Sequence, residues 1–94
     1  MISFFNKKKI KFGNLYAVQA GDYVGQFFMF IEHRDDEYGF ISIPSMENRI
    51  VDKEKFEFAL KESIIEYVER VPRYVRDLAR IKYQENSNFV SDTQ

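Results

Sequence analysis

The densest group of reactive side chains in this sequence is Glu-His-Arg-Asp-Asp-Glu at residues 32–37, which includes its one histidine, His33. Glu32, His33, Asp35, Asp36 and Glu37 are residue types that bind divalent ions through carboxylate oxygens and an imidazole. Their spacing follows no established metal loop, and no glycine stands where a calcium loop turns. The segment therefore reads as a solvated hairpin tip. His33-Arg34-Asp35 also matches the tripeptide of a kinase catalytic loop, but in a chain too short to hold the partner motifs. Ser42, Ser45 and Ser63 lack the glycine-flanked elbow of a serine nucleophile. Glu62, Glu66 and Glu69 recur at the three- and four-residue spacing of any solvated helix face. The chain is accordingly expected to be non-catalytic, with no cofactor and no metal.

A second chemistry is phosphate binding. Arg73, Arg76 and Arg80 fall along one face of a helical segment with Tyr83 nearby, a guanidinium row of the kind that contacts nucleic-acid backbones. The competing expectation is that these arginines pair with acids such as Glu62, Glu66 and Glu69. Tyr38-Gly-Phe-Ile-Ser-Ile, residues 38–43, resembles the aromatic strand motif of RNA-recognition and cold-shock domains. The resemblance implies Tyr38 and Phe40 as base-stacking rings, with Phe27 or Met29 beside them. Asp36 and Glu37 stand where those families carry a basic residue and a glycine, so packing is the preferred role of both rings.

The elements that must position these groups follow from periodicity. Val51 to Val71 repeats apolar residues at helical spacing through Phe56, Ala59, Leu60, Ile64, Tyr67, Val68 and Val71, which predicts one long amphipathic helix. Asp52 stands at its N-cap, and Val51 with Phe56 has the spacing of a hydrophobic staple. Phe58 and Ile65 project from the opposite side of that predicted helix, as a seam for another element or another copy. Leu15 to Ala20, Tyr23 to His33 and Tyr38 to Ile43 read as strands, the first two joined at Gly21-Asp22 and the last two through residues 34–37. Residues 49–51 add a short edge strand. Pro72 ends or kinks the long helix, and a shorter one resumes from Arg73 to Tyr83 with Tyr74, Val75, Leu78, Ala79 and Ile81. The expected fold is α+β: a three- to four-stranded antiparallel meander packed on a long helix, then a shorter C-terminal helix. One domain spans residues 1–84, and 85–94 form a flexible tail.

Ninety-four residues suit a single core, yet ten Phe and six Tyr are a heavy aromatic load for it. If Ala20 opposes Tyr23 and His33 opposes Tyr38, one sheet face carries Tyr16, Val18, Tyr23, Phe27, Met29, Ile31, His33, Tyr38 and Phe40. The other carries Leu15, Ala17, Val24, Phe28, Phe30, Ile41 and Ile43. Both are apolar, whereas a sheet wetted on one side alternates. The long helix is assigned to the Phe and aliphatic face. The tyrosine-rich face is left for a second cover: Ile2, Phe4 and Phe5, the C-terminal helix, or another subunit.

The functional expectation is an interaction module, self-associating with a dimer favoured, and suited to act as an accessory protein on a larger partner. Its candidate interface is Tyr16, Tyr23, Phe27, Met29, Tyr38, Phe40, Phe58 and Ile65. The alternative is nucleic-acid binding through Arg73, Arg76 and Arg80. Cysteine is absent and the net charge is −1, with basic ends around an acidic middle. The apolar run near Met1 is too short for a signal or a membrane span, so a soluble, cytoplasmic protein is expected.

Overall fold

The computed structural model describes residues 9–92, with side chains through Ser87. Strands β1 (Asn14–Val18), β2 (Phe27–Arg34), β3 (Glu37–Ile43) and β4 (Asn48–Asp52) form the expected meander. Helix α1 (Lys53–Lys61), strand β5 (Ile65–Arg70) and helix α2 (Arg73–Asp92) complete an α+β domain. The sheet has five antiparallel strands in the order β4-β3-β2-β1-β5.

The long helix is two elements. Its start is as read: the Asp52 carboxylate accepts from the Lys55 amide at 3.1 Å, and Val51 packs into the same cluster as Phe56. It stops after Lys61, and Ser63 turns the chain with a φ of 60°. Residues 65–70 then alternate Ile65 and Tyr67 toward the core with exposed Glu66. Ile-Ile-Glu-Tyr-Val fits a helical stripe and a strand equally well in spacing. Its β-branched and aromatic side chains suit a pleated surface better, and β1 supplies the open edge. Ile65 is buried against β1 while Phe58 stands exposed on α1, so the proposed Phe58–Ile65 seam does not form.

Two local irregularities reset the faces of the sheet. The first connection spans residues 19–26, with Gly21 and Gly25 both at positive φ, and Ala17 opposes Phe27 in place of the tight Gly21-Asp22 turn. In the second hairpin His33 opposes Tyr38 as expected, but a bulge at Ile31 brings Phe30 opposite Phe40. Each shift inverts the alternation of β2 relative to a neighbour. They cancel between β1 and β3, so Tyr16, Val18, Tyr38 and Phe40 share a face as predicted. Strand β2 exchanges its two sides. Phe28 and Phe30 join that aromatic face, and Met29 and Ile31 join Leu15, Ile41 and Ile43.

Each face has its own helix, in the reverse of the expected assignment. Helix α1 covers the aromatic face, where the Phe56 ring meets Tyr16, Tyr38 and Phe40 with centroids 4.7–5.6 Å apart. Helix α2 covers the aliphatic face with Val75, Ala79 and Tyr83, joined by Val71 just before it. The segment from residue 85, read as a tail, is helical to Asp92. Asn86 donates to Met46 and Asn48, and Ser87 accepts from Asn48. Ile2, Phe4 and Phe5 lie outside the described residues. None of the helices in the described chain is long and apolar enough to cross a membrane.

Candidate protein-docking face

Burial removes most of the predicted interface from the surface. Tyr16, Met29, Tyr38, Phe40 and Ile65 all lie in the core. Tyr23 is exposed at the first loop, packed against Phe28 and under the Arg49 guanidinium at 5.0 Å. Phe58 is 59% exposed and faces solvent from α1. Phe27 sits at the start of β2 and remains 37% exposed. The base-stacking rings implied by residues 38–43 are under α1, where no base can reach them.

The arginine row is also rearranged. Arg76 turns inward, donating to the Val71 carbonyl at 3.1 Å, and its aliphatic stem fills the space over Gly13. Arg80 stacks on the Phe12 ring at 4.5 Å, and both Arg80 and Arg73 approach Asp77, at 3.7 and 3.9 Å. Their acid is thus Asp77 on their own helix. His33 packs edge-on to Phe30 and Tyr38. Among the described residues no cluster of three histidine or acidic side chains is placed to hold a metal.

Two phenols lock the helices to the sheet. The Tyr38 hydroxyl donates to Glu57 of α1 at 2.9 Å, and the Tyr83 hydroxyl of α2 donates to Glu32 at 2.8 Å. Burial, reinforced by the carboxylate each one meets, pushes both phenols up to about 12. Tyr83, Glu32, Arg34, Arg80, Gln84 and Ser87 line an open polar cleft of about 460 Å³. A phenol held that high stays protonated at neutral pH, so it serves as a tether and not as a base.

What sequence reasoning missed lies on α2. The helix has two apolar stripes: Val75, Ala79 and Tyr83 face the sheet, while Tyr74, Leu78 and Ile81 are 71%, 64% and 52% exposed. One flank of α2 is directed by Arg76 over Gly13, Arg80 over Phe12 and Tyr83 toward Glu32. At 100° per residue, Leu78 and Lys82 fall on the other flank, with Tyr74 and Ile81 further out. That flank borders the part of the sheet that α2 leaves open. There Ala17, Phe27 and Ile43 stand in direct register across three strands. Ala17 and Ile43 are half-buried beside exposed Phe27, whereas the next row, Met29 and Ile41, is fully covered. The sequence signal was a surplus: residues 74–83 carry more apolar positions than one helix face accommodates.

The result is an apolar shelf between α2 and the sheet, with Glu66, which pairs with Ala17 of β1, at its β5 end. Glu66 accepts a 3.3 Å hydrogen bond from Gln19. Comparison of the chain with protein-family models, curated proteins and solved structures finds no match.

Proposed function

We propose that this chain is a non-catalytic protein–protein interaction module, suited to a small accessory or regulatory role, that docks through the outer stripe of α2 and the adjoining open row of the sheet. The observation that carries the reading is the exposure of Tyr74, Leu78 and Ile81 along the outer stripe of α2, with Phe27 exposed on the sheet row that α2 leaves open. Large apolar side chains grouped on one face, unlike scattered single ones, mark interaction sites. Nucleic-acid binding has less support, since Arg76 is turned inward and Arg80 is stacked on Phe12 and near Asp77.

The test compares assembly size in lysate of the cells that make the protein. The wild-type chain should elute above the mass of one chain. Leu78→Glu should return it to that mass, and Glu54→Lys on the exposed side of α1 should leave the assembly intact. Elution of the wild-type chain as a single copy would overturn the proposal.

A further inference from the structure

We infer that the open edge of β4 pairs with β4 of a second copy of this chain, antiparallel about a two-fold axis that stands perpendicular to the sheet between the two Ile50 residues. This contact is separate from the α2 face and goes beyond the reading above.

The direction of the backbone groups on that edge follows from the ladder on the other side of β4. Ser42 donates to the Glu47 carbonyl at 2.8 Å and Lys53 to the Asp36 carbonyl at 2.9 Å, and the β3–β4 partners between them keep one register without a bulge. Bonded and non-bonded pairs alternate along an antiparallel ladder. Arg49 and Val51 therefore bond inward to Phe40 and Tyr38, while Asn48, Ile50 and Asp52 turn their backbone groups outward. The Asp52 carbonyl starts α1, as that of an N-cap does. The Ile50 amide and carbonyl, the Asp52 amide and the Asn48 carbonyl take no backbone bond from any other loop or turn among the described residues.

About Ile50 this edge is self-complementary, and that singles out a second copy. Each Ile50 donates to and accepts from its counterpart, and each Asp52 amide donates to the Asn48 carbonyl of the other copy. Side chains agree with this register. Ile50, 44% exposed and level with Gly39 on the α2 side, lies against itself. Arg49 lies opposite Val51, with its guanidinium turned back over the Tyr23 ring and 3.0 Å from Glu47. An axis at Arg49 would set two arginines against each other, and one at Val51 would leave Asn48 unpaired and bring Arg49 to Lys53. Like charges directly opposite destabilise paired strands, so one register is selected.

The other edge of the sheet is closed to the same use. Strand β5 carries a bulge at Val68 between Glu66 and Glu69, which blunts strand addition. Addition of β4 to β5 would also repeat without end, whereas β4 on β4 stops at two copies.

A contact confined to one five-residue strand falls below the roughly 1,200 Å² of standard interfaces, so the pair is weak, with a dissociation constant on the order of 100 µM. It comes apart at lysate dilution, and Leu78→Glu there reads the α2 face alone.

The test is sedimentation equilibrium of the purified full chain from about 10 µM to about 1 mM. Wild type should dimerise in that range, and Leu78→Glu should dimerise equally. Ile50→Pro should abolish the dimer with an unchanged circular dichroism spectrum, because proline is tolerated where an edge amide faces solvent and the β3–β4 ladder does not use this one. Ile50→Lys and Ile50→Glu should each weaken pairing about 10-fold or more, and an equimolar mixture of the two should restore it. Restoration follows because position 50 faces itself, so only the mixed pair joins opposite charges; these exposed substitutions decide the matter if the proline variant does not fold. A wild-type chain that stays single throughout overturns the inference, as does a folded Ile50→Pro chain that still dimerises, or a mixture no tighter than its components. A dimer lost in Leu78→Glu and indifferent to position 50 overturns it too, and leaves the α2 reading standing. A dimer that depends on position 50, with no Leu78-dependent assembly in lysate, supports the inference and removes the α2 reading.

Discussion

The hydroxyl of Tyr83 lies in the space that a β-carbon on Gly39 would fill. With the Glu32 side chain 3.1 Å from the same point, Gly39 is the floor on which α2 seats its tyrosine. Overpacking a closed site costs about 1–3 kcal/mol, so Gly39→Ala should lower stability to urea by that amount. Tyr83→Phe, which removes the obstructing oxygen, should reduce the penalty of Gly39→Ala. A double-mutant cycle with non-zero coupling checks this, whereas additive losses would place the two groups apart.

The two tethering phenols predict an alkaline limit. Tyr38 and Tyr83 reach about 12 in the folded chain against an ordinary 10.0. The fold therefore favours the protonated form. Its contribution to stability is fully present below pH 10 and is lost as pH rises from about 10 toward about 12. Urea unfolding followed across that window should show the decline. Tyr38→Phe and Tyr83→Phe should each make it shallower, and an unchanged slope in both variants would refute the assignment.

Phe56 and Phe58 are two residues apart on α1 and should behave oppositely. Phe56 is fully buried among three rings, and its truncation to alanine should cost about 3–5 kcal/mol. Phe58→Ala should stay within about 0.5 kcal/mol, as exposed substitutions do. Denaturant midpoints for the pair measure the difference directly. Comparable losses would mean that Phe58 is covered.

Ser63 tests the break between α1 and β5. A non-glycine residue in the left-handed region carries roughly 1–2 kcal/mol of strain. Glycine relieves it but adds freedom to the unfolded chain. Ser63→Gly should therefore raise stability by about 0.5–1 kcal/mol, and Ser63→Val should lower it, because β-branched residues tolerate positive φ worst. If residues 51–71 formed one continuous helix, the glycine would instead destabilise it.

The features legible in the sequence were those set by local chemistry. The Asp52 cap, the meander from β1 to β4, the His33–Tyr38 pairing and the helix that begins after Pro72 all follow from residues adjacent in the chain. Residues 65–70 were not legible as a strand, because their spacing serves both periods and the decision lies with β1, fifty residues earlier. The Ile31 bulge adds one residue without any glycine or proline to mark it, and that residue moved Met29 away from Tyr38 and Phe40. The predicted interface failed for the same reason: five of its eight residues turned out to be core once α1 and α2 had taken opposite faces. Tyr74, Leu78 and Ile81 were visible as apolar positions, but which stripe of α2 faces inward depends on Gly13, Phe12 and Glu32, all remote in sequence.

Site-specific photocrosslinking at position 78 tests the docking face most directly. A benzophenone side chain in place of Leu78, irradiated in cells that make the protein, should yield a discrete crosslinked polypeptide above the mass of the chain, and the same group in place of Glu54 should yield none. No crosslinked polypeptide of any mass from position 78, or equal yields from both positions, would contradict the assignment of this face to protein binding.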